Sequence, residues 1–107
     1  MAEAANMTHV VLFKMPDTFD AVLAEAASTS KKLLEIPGVQ TVQFGKTFTT
    51  ERAQGWTHVL VVQFDSKESL PGYGPHPIHK AWADKFARPY MTEILGVDID
   101  GLRYAKI

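Results

Sequence analysis

Residues 56–64 contain the sequence feature that most restricts the fold. This run reads Trp-Thr-His-Val-Leu-Val-Val-Gln-Phe, and its β-branched and aromatic residues favour a strand. One face of that strand would carry Trp56, His58, Leu60, Val62 and Phe64; the other would carry Thr57, Val59, Val61 and Gln63. Because both faces are largely apolar, we expect a central strand that is covered on both sides.

Hydrophobic periodicity predicts three further strands, at residues 8–15, 39–48 and 97–104. A helix is predicted from residue 17 or 18, with one apolar stripe formed by Phe19, Val22, Leu23, Ala26, Leu33 and Leu34. A short helix follows Asp65, and a longer one begins at Pro77. Pro89 is expected to kink or split the longer helix and to leave residues 90–95 as a second helical segment. This order of elements predicts one α+β domain.

A four-stranded sheet with helices on one side leaves its second face uncovered, although the strand pattern makes that face apolar. The chain has only 107 residues, and a domain of this size buries only about two-thirds of the surface that its unfolded chain exposes, so it is marginally stable alone. A second copy could cover the apolar face. We therefore expect a homodimer in which two sheets pack face to face and close a barrel.

Composition restricts the partners and the cell compartment that we expect for this protein. The net charge is −1 and the chain has no cysteine, so we expect neither nucleic acid nor an anionic membrane as a partner, and no thiol chemistry. Residues 1–7 are predicted to be a disordered tail and residues 8–107 the domain. Without a signal peptide or an apolar run long enough to span a bilayer, we expect a cytoplasmic protein. The ending Ala105-Lys106-Ile107 loosely resembles a peroxisomal address.

A shaped loop between residues 71 and 79 holds the residues best suited to proton transfer. Two glycines and two further prolines follow Pro71 within this loop, so a helix cannot run through it. The loop also contains Tyr73, His76 and His79. Histidine and tyrosine readily move protons in enzymes, but a His-Pro pair is more often just a helix entry whose histidines cap and pack.

Three histidines occupy positions where apolar residues are the norm. His9 and His58 lie on apolar strand faces, and His79 lies on the inward stripe of its helix. Each alone is more often a satisfied core histidine than a catalyst. Together, with Tyr73 at the mouth, they could line one cavity if the strand register allows it.

Two other kinds of site have weaker support in the sequence. Spacing of three residues between His76 and His79 would suit a zinc site, which the absence of cysteine and of a nearby acidic ligand disfavours. A serine hydrolase is disfavoured because no Gly-x-Ser-x-Gly motif occurs.

Several motifs, in order, resemble those of the stress-responsive α/β-barrel domain family. They are the opening Thr-His-Val-Val-Leu-Phe-Lys, the Pro37-Gly38 turn, Phe-Gly-Lys at 44–46, Gly-Trp-Thr-His at 55–58, and Tyr73-x-x-His76-Pro77-x-His79. The resemblance covers residues 8 to about 104. It implies a ferredoxin-like dimeric α/β barrel with a four-stranded antiparallel sheet and helices on one face.

The resemblance also implies a chemistry. A polyketide cyclase of this family performs an intramolecular aldol condensation with no metal or organic cofactor, and its catalytic histidine and tyrosine match His79 and Tyr73. Two further pocket histidines match His9 and His58. Phe13 shares the strand face of His9, and Trp82 and Phe86 share the stripe of His79, so these three are also expected in the substrate pocket.

The chain departs from the family pattern at two places in the pocket. A tyrosine of the first helix falls near Thr29, and the residues between Tyr73 and His76 are Gly-Pro rather than aliphatic. We therefore expect a pocket of different shape. Two hypotheses stay open: a cofactor-free cyclase acting on a small polyketide-like molecule, or a non-catalytic dimeric stress-response or ligand-binding protein.

Overall fold

A four-stranded antiparallel sheet forms the frame of the computed structural model, which describes residues 7–100. Its strands are β1 (Met7–Lys14), β2 (Val39–Lys46), β3 (His58–Phe64) and β4 (Glu93–Asp100). They lie in the order β2-β3-β1-β4, with every neighbouring pair antiparallel. Strand β3 is thus internal, as its apolar faces predict.

The helices pack on one face of this sheet. A 3₁₀ turn at Asp17–Ala21 leads into α1 (Leu23–Thr29), and a second 3₁₀ stretch, Ser30–Glu35, completes the first helical layer. After β3 come α2 (Leu70–Tyr73) and α3 (Pro77–Trp82), and α3 continues into a π-helical turn at Ala83–Ala87. Single 3₁₀ turns occupy Thr50–Arg52 and Lys67–Ser69. No helix within residues 7–100 is long and apolar enough to cross a membrane.

Alternation along the strands places the core between sheet and helices. In β3 every second residue is buried, from His58 to Phe64, and in β1 the buried residues are Met7, Val11 and Phe13. Phe19, from the first helical layer, is fully buried against this face. The side-chain period of two therefore fixes which face of each strand meets the helices.

The opposite sheet face is apolar, and no helix or strand among residues 7–100 covers it. Register pairs Val10 with Val97 and Leu12 with Leu95 on this face. Leu95, Val97 and Ile99 are 44%, 49% and 46% exposed, which is unusual for three large apolar residues in a row on one strand face. We call this face, with Val59 and Val61 of β3, the outer sheet face.

Several predicted boundaries were wrong. Residues 90–95 do not form a second helical segment, because β4 begins at Glu93 and pairs Ile94 and Leu95 with β1. Only the middle of the predicted first helix is α-helical, and the segments on either side of it have 3₁₀ geometry. The second strand ends at Lys46 and the third begins at His58, so both are shorter than expected.

At the chain ends, part of the prediction can be compared. Met7, expected in a disordered tail, is a buried residue of β1, since it continues the alternation that faces the core. Residues 1–6, the end of the last predicted strand and the tripeptide 105–107 lie outside the described residues.

We predict that Phe19→Ala lowers the free energy of unfolding by about 3–5 kcal/mol, because it empties a fully enclosed site. The Phe19 ring packs edge-on against Phe44, His58 and Tyr90. Phe48→Ala is the matched control: Phe48 is 94% exposed and should change stability by less than about 0.5 kcal/mol. Urea denaturation of both variants measures the difference, and similar losses would contradict this core.

Candidate active site

A cavity of about 300 Å³ lies between the sheet and α3. Its walls are mainly apolar, and its polar lining groups are His9, His79 and Arg88. The larger apolar lining residues are Val11, Phe13, Leu60, Trp82, Met91 and Ile94. Strand β4, which supplies Ile94 and Gly96, is exposed along its whole length. The cavity is therefore an apolar cleft with few polar groups, the usual form of a small-molecule site.

The helix entry at residues 74–79 fixes the position of His79. His76 occupies the N-cap of α3, and its Nδ1 accepts a hydrogen bond from the backbone N–H of Ile78 at 3.1 Å. Pro77 takes the first helical position, where its missing N–H costs nothing. The helix then presents His79 to the cavity two residues later.

A backbone carbonyl determines the tautomer of His79. Its Nδ1 lies 3.0 Å from the carbonyl oxygen of Gly74, and a carbonyl can only accept, so Nδ1 carries the proton. In the neutral ring, Nε2 then holds an unshared electron pair. Burial lowers the pKa of His79, against the opposing effect of the Gly74 hydrogen bond. His79 is thus a neutral imidazole with a free basic nitrogen at neutral pH.

Tyr73 packs directly against that imidazole. The two ring centroids are 4.6 Å apart, and the ring of His9 lies 5.6 Å from that of Tyr73. Burial raises the pKa of Tyr73 above its ordinary value, so the phenol stays protonated and keeps an O–H group that can donate a hydrogen bond. Its hydroxyl is buried and has no hydrogen-bond partner among the described residues. Tyr73 supports His79 from behind the lining and is not itself a lining residue.

His9 is held by a carboxylate that sequence reasoning missed. Register places His9 of β1 opposite Asp98 of β4, and its Nδ1 lies 2.6 Å from Asp98 Oδ1. Because a carboxylate accepts, the imidazole donates through Nδ1 and keeps Nε2 for the cavity. The partner is 89 positions away in sequence, so only the strand register reveals it.

His58 does not join this group. It is buried at the other end of β3, opposite Phe13, whereas His9 pairs with Val62. Four residues of strand separate the two positions, or about 13 Å. His58 stacks on Phe44 and bonds to the Thr57 hydroxyl at 2.7 Å. His58 is therefore not among the residues that line this cavity.

The other residues expected in the substrate pocket are divided between two cavities. Phe13 and Trp82 line the cavity with His9 and His79. Phe86 instead lines a second cavity of about 350 Å³ on the other side of α3, together with Thr29 and Lys32. Trp82 contributes to both. Thr29, where we expected the pocket to differ from the family, thus belongs to the second cavity.

The zinc interpretation finds no support in the arrangement of side chains. Among residues 7–100, no three His, Asp or Glu side chains are grouped so as to hold a metal ion. The Nδ1 atoms of His76 and His79 are each bonded to the protein's own backbone.

With this geometry established, comparison with known proteins assigns the family. The chain belongs to the stress responsive A/B barrel domain family, whose family model matches residues 7–100. It is 30% identical over 93 residues to the olivetolic acid cyclase of Cannabis sativa, an alignment that covers 84% of this chain and 91% of the cyclase. This agrees with the family resemblance of the sequence motifs.

Two further matches are a sequence relative and a structural neighbour. The chain is 29% identical over 91 residues to a stress-response A/B barrel domain-containing protein of Arabidopsis thaliana, an alignment that covers 84% of this chain but only 35% of the Arabidopsis protein. It thus spans about a third of that relative's length. A dimeric ferredoxin-like protein of unknown function from Bacteroides fragilis shares the fold, with a TM-score of 0.75 and 22% identity over 89% of this chain and 95% of that one.

We predict that the protein loses stability as the pH falls below about 6.5, the ordinary pKa of histidine. Burial lowers the pKa of both His58 and His79, so the unfolded chain binds more protons than the folded one in this range. Each group contributes a slope of at most about 1.4 kcal/mol per pH unit, which ends below its folded pKa.

The variant His58→Phe tests the contribution of the histidine inside the core. A phenyl ring can pack between Phe19 and Phe44 but cannot take up a proton. Urea denaturation between pH 5 and 8, on the order of the range where histidine titrates, should show a shallower decline for the variant. If the free energy of unfolding declines equally in both proteins, protonation of His58 does not contribute to the loss of stability.

Proposed function

We propose that this protein is a cofactor-free, polyketide cyclase-like enzyme in which His79 is the general base. One observation carries the proposal: His79 is a neutral imidazole whose Nδ1 proton is engaged by Gly74, so that Nε2 is the basic atom at an apolar cavity. A neutral imidazole of this kind can accept a proton from an acidic carbon, because its unprotonated Nε2 is the form that acts as a base.

The reaction we propose is an intramolecular aldol condensation. His79 Nε2 removes a proton from a carbon between two carbonyl groups, and the resulting enolate attacks a carbonyl carbon further along the same molecule. One carbon–carbon bond forms, the attacked carbonyl oxygen becomes an alkoxide, and the imidazolium returns its proton to that oxygen. The new hydroxyl group then leaves with a proton from the neighbouring carbon as one molecule of water, which completes the condensation. Tyr73 packs its ring against the imidazole and holds it in place. Its hydroxyl, which has no hydrogen-bond partner among the described residues, would have to turn towards the cavity to donate to the developing charge.

The shape and lining of the cavity support a small polyketide-like substrate. Its volume of about 300 Å³ suits a molecule of modest size, and Phe13 and Trp82 offer aromatic surface for a chain that is becoming a ring. The similarity to olivetolic acid cyclase supports the reaction class. Olivetolic acid itself is not proposed as the product, because residues 74–75 differ from the family pattern.

A second candidate is a non-catalytic ligand-binding protein. The observation that favours it is the Tyr73 hydroxyl, which is buried, unpartnered among the described residues, and set back from the cavity lining. In this case the cavity binds a small molecule and His79 contributes a hydrogen bond without transferring a proton.

The variants His79→Ala and Tyr73→Phe separate these candidates. For an enzyme, His79→Ala should lower turnover of a linear poly-β-ketide, supplied both as the thioester and as the free acid, by about 10²-fold or more, the usual contribution of a general base. Tyr73→Phe should reduce the rate without abolishing ligand binding. Product formation is followed by chromatography, with circular dichroism to confirm folding.

Lys80→Ala is the control, since Lys80 is an exposed neighbour on the same helix and should leave turnover unchanged. If His79→Ala keeps its turnover, His79 is not the general base. Binding without turnover in the unaltered protein would favour the second candidate.

We also propose that the protein is a homodimer formed through the outer sheet face. The exposed row Leu95, Val97 and Ile99 supports this interface, because large contiguous apolar patches rarely stay in water. The Bacteroides fragilis neighbour of the same fold is described as dimeric. Two such faces would close the barrel between two copies.

Val97→Lys should convert the dimer to a monomer at micromolar concentration, because it would bury an unpaired charge in the interface. Leu34→Lys is the matched control: Leu34 is 45% exposed, close to the 49% of Val97, but it belongs to the helical layer. Sedimentation velocity measures both. A monomeric unaltered protein, or equal dissociation by both substitutions, would argue against this interface.

A further inference from the structure

Arg88 is a permanently charged group at the cavity. It lines the cavity together with His9 and His79, and its side chain is 58% exposed. Its Nε donates to Asp84 Oδ1 at 2.7 Å. Within residues 7–100, neither terminal Nη atom makes a hydrogen bond to the protein. One edge of the guanidinium is thus anchored, and the rest of it is available to a ligand.

A π-helical turn explains how Arg88 reaches this position. In a regular α-helix, nine residues from His79 to Arg88 would rotate the side chain by about 900°, which leaves it on the opposite side of the helix. Here the N–H of Arg88 donates to the carbonyl of Ala83, five residues earlier, at 2.9 Å. The extra residue turns Arg88 back by about 100°, towards the face of His79.

We propose that Arg88 binds a carboxylate of the ligand, so that the cavity selects a free acid over its neutral ester or thioester. This inference rests on the proposed function, because it names the substrate class for that site. The planar guanidinium matches a carboxylate and can donate two parallel hydrogen bonds to it.

The lining around Arg88 fits an amphiphilic acid. The partly exposed Arg88 provides a positive charge, whereas Phe13, Leu60 and Trp82 form an apolar wall. An acid bound by Arg88 would direct its apolar portion to this wall and its reacting carbon towards His79.

Among residues 7–100, no carboxylate pairs with the terminal nitrogens of Arg88. Asp84 bonds only the Nε of Arg88, and this exposed pair with i,i+4 spacing is worth little. Asp98 is engaged by His9. The terminal nitrogens of the Arg88 guanidinium can therefore donate hydrogen bonds to a ligand carboxylate.

Calorimetric titration with 2,4-dihydroxybenzoate and its methyl ester tests the proposal. The pair differs in one charge and resembles the aromatic acid that a cyclised poly-β-ketide chain would give. Arg88→Gln removes the charge but keeps an amide donor. Lys85→Gln is the matched control, because Lys85 lies on the same turn but faces the second cavity.

The unaltered protein should bind the acid about tenfold or more tightly than the ester, as expected for charge-assisted hydrogen bonds. Arg88→Gln should abolish that preference while ester binding stays the same, and Lys85→Gln should preserve it. Failure to bind the acid, equal affinity for acid and ester, or an equal loss in both variants would overturn the proposal.

This titration involves no turnover, so its result is independent of the general base. A catalytically inactive protein that prefers the acid would contradict the proposed enzyme but leave the role of Arg88 intact. An active protein without the preference would do the reverse.

Discussion

The register of β1 against its two neighbours is the constraint on which the rest of the structure depends. As β1 lies between β3 and β4, its pairing decides the facing residues on both sides at once. It places His9 opposite Asp98 in one direction and opposite Val62 in the other. A slip of one residue would turn His9 to the outer sheet face and Val10 to the cavity, because side chains alternate with a period of two.

The helical side of the cavity depends on two hydrogen bonds that lie outside the regular α-helical pattern. At the start of α3, the His76 side chain satisfies the N–H of Ile78, which lets the helix begin directly after the proline-rich loop. At its end, the bond from Arg88 to Ala83 widens the helix by one residue. Between these two points, Ala83 and Ala87 present only methyl groups to the cavity. The space beside His79 therefore exists because small residues line that part of the helix.

Much of this arrangement was predictable from sequence, and the exceptions have physical reasons. Alternation identified all four strands, and the Pro77 entry placed His79 on an inward helical face. The segment 90–95 was misassigned because its apolar residues suit either a helix or a strand, and pairing with β1 decides between them. Register also decided that His58 lies apart from His9. Asp98 and Arg88 were beyond local reasoning: the first is adjacent to His9 only across the strand pair, and a π-turn, which leaves no simple mark in a sequence, moves the second onto the cavity side.

Strand β4 links the two faces of the molecule. Its alternate residues Ile94 and Gly96 line the cavity, whereas Leu95 and Val97 lie on the outer sheet face. Within the part of the chain that the structure describes, β4 is an edge strand exposed along its length and pairs only with β1. If a second copy covers the outer face, it would restrain β4 from that side and, through the same backbone, the carboxylate of Asp98 that orients His9. Assembly and site geometry would then be coupled through one strand, which gives a physical reason for a small barrel domain to act as a pair.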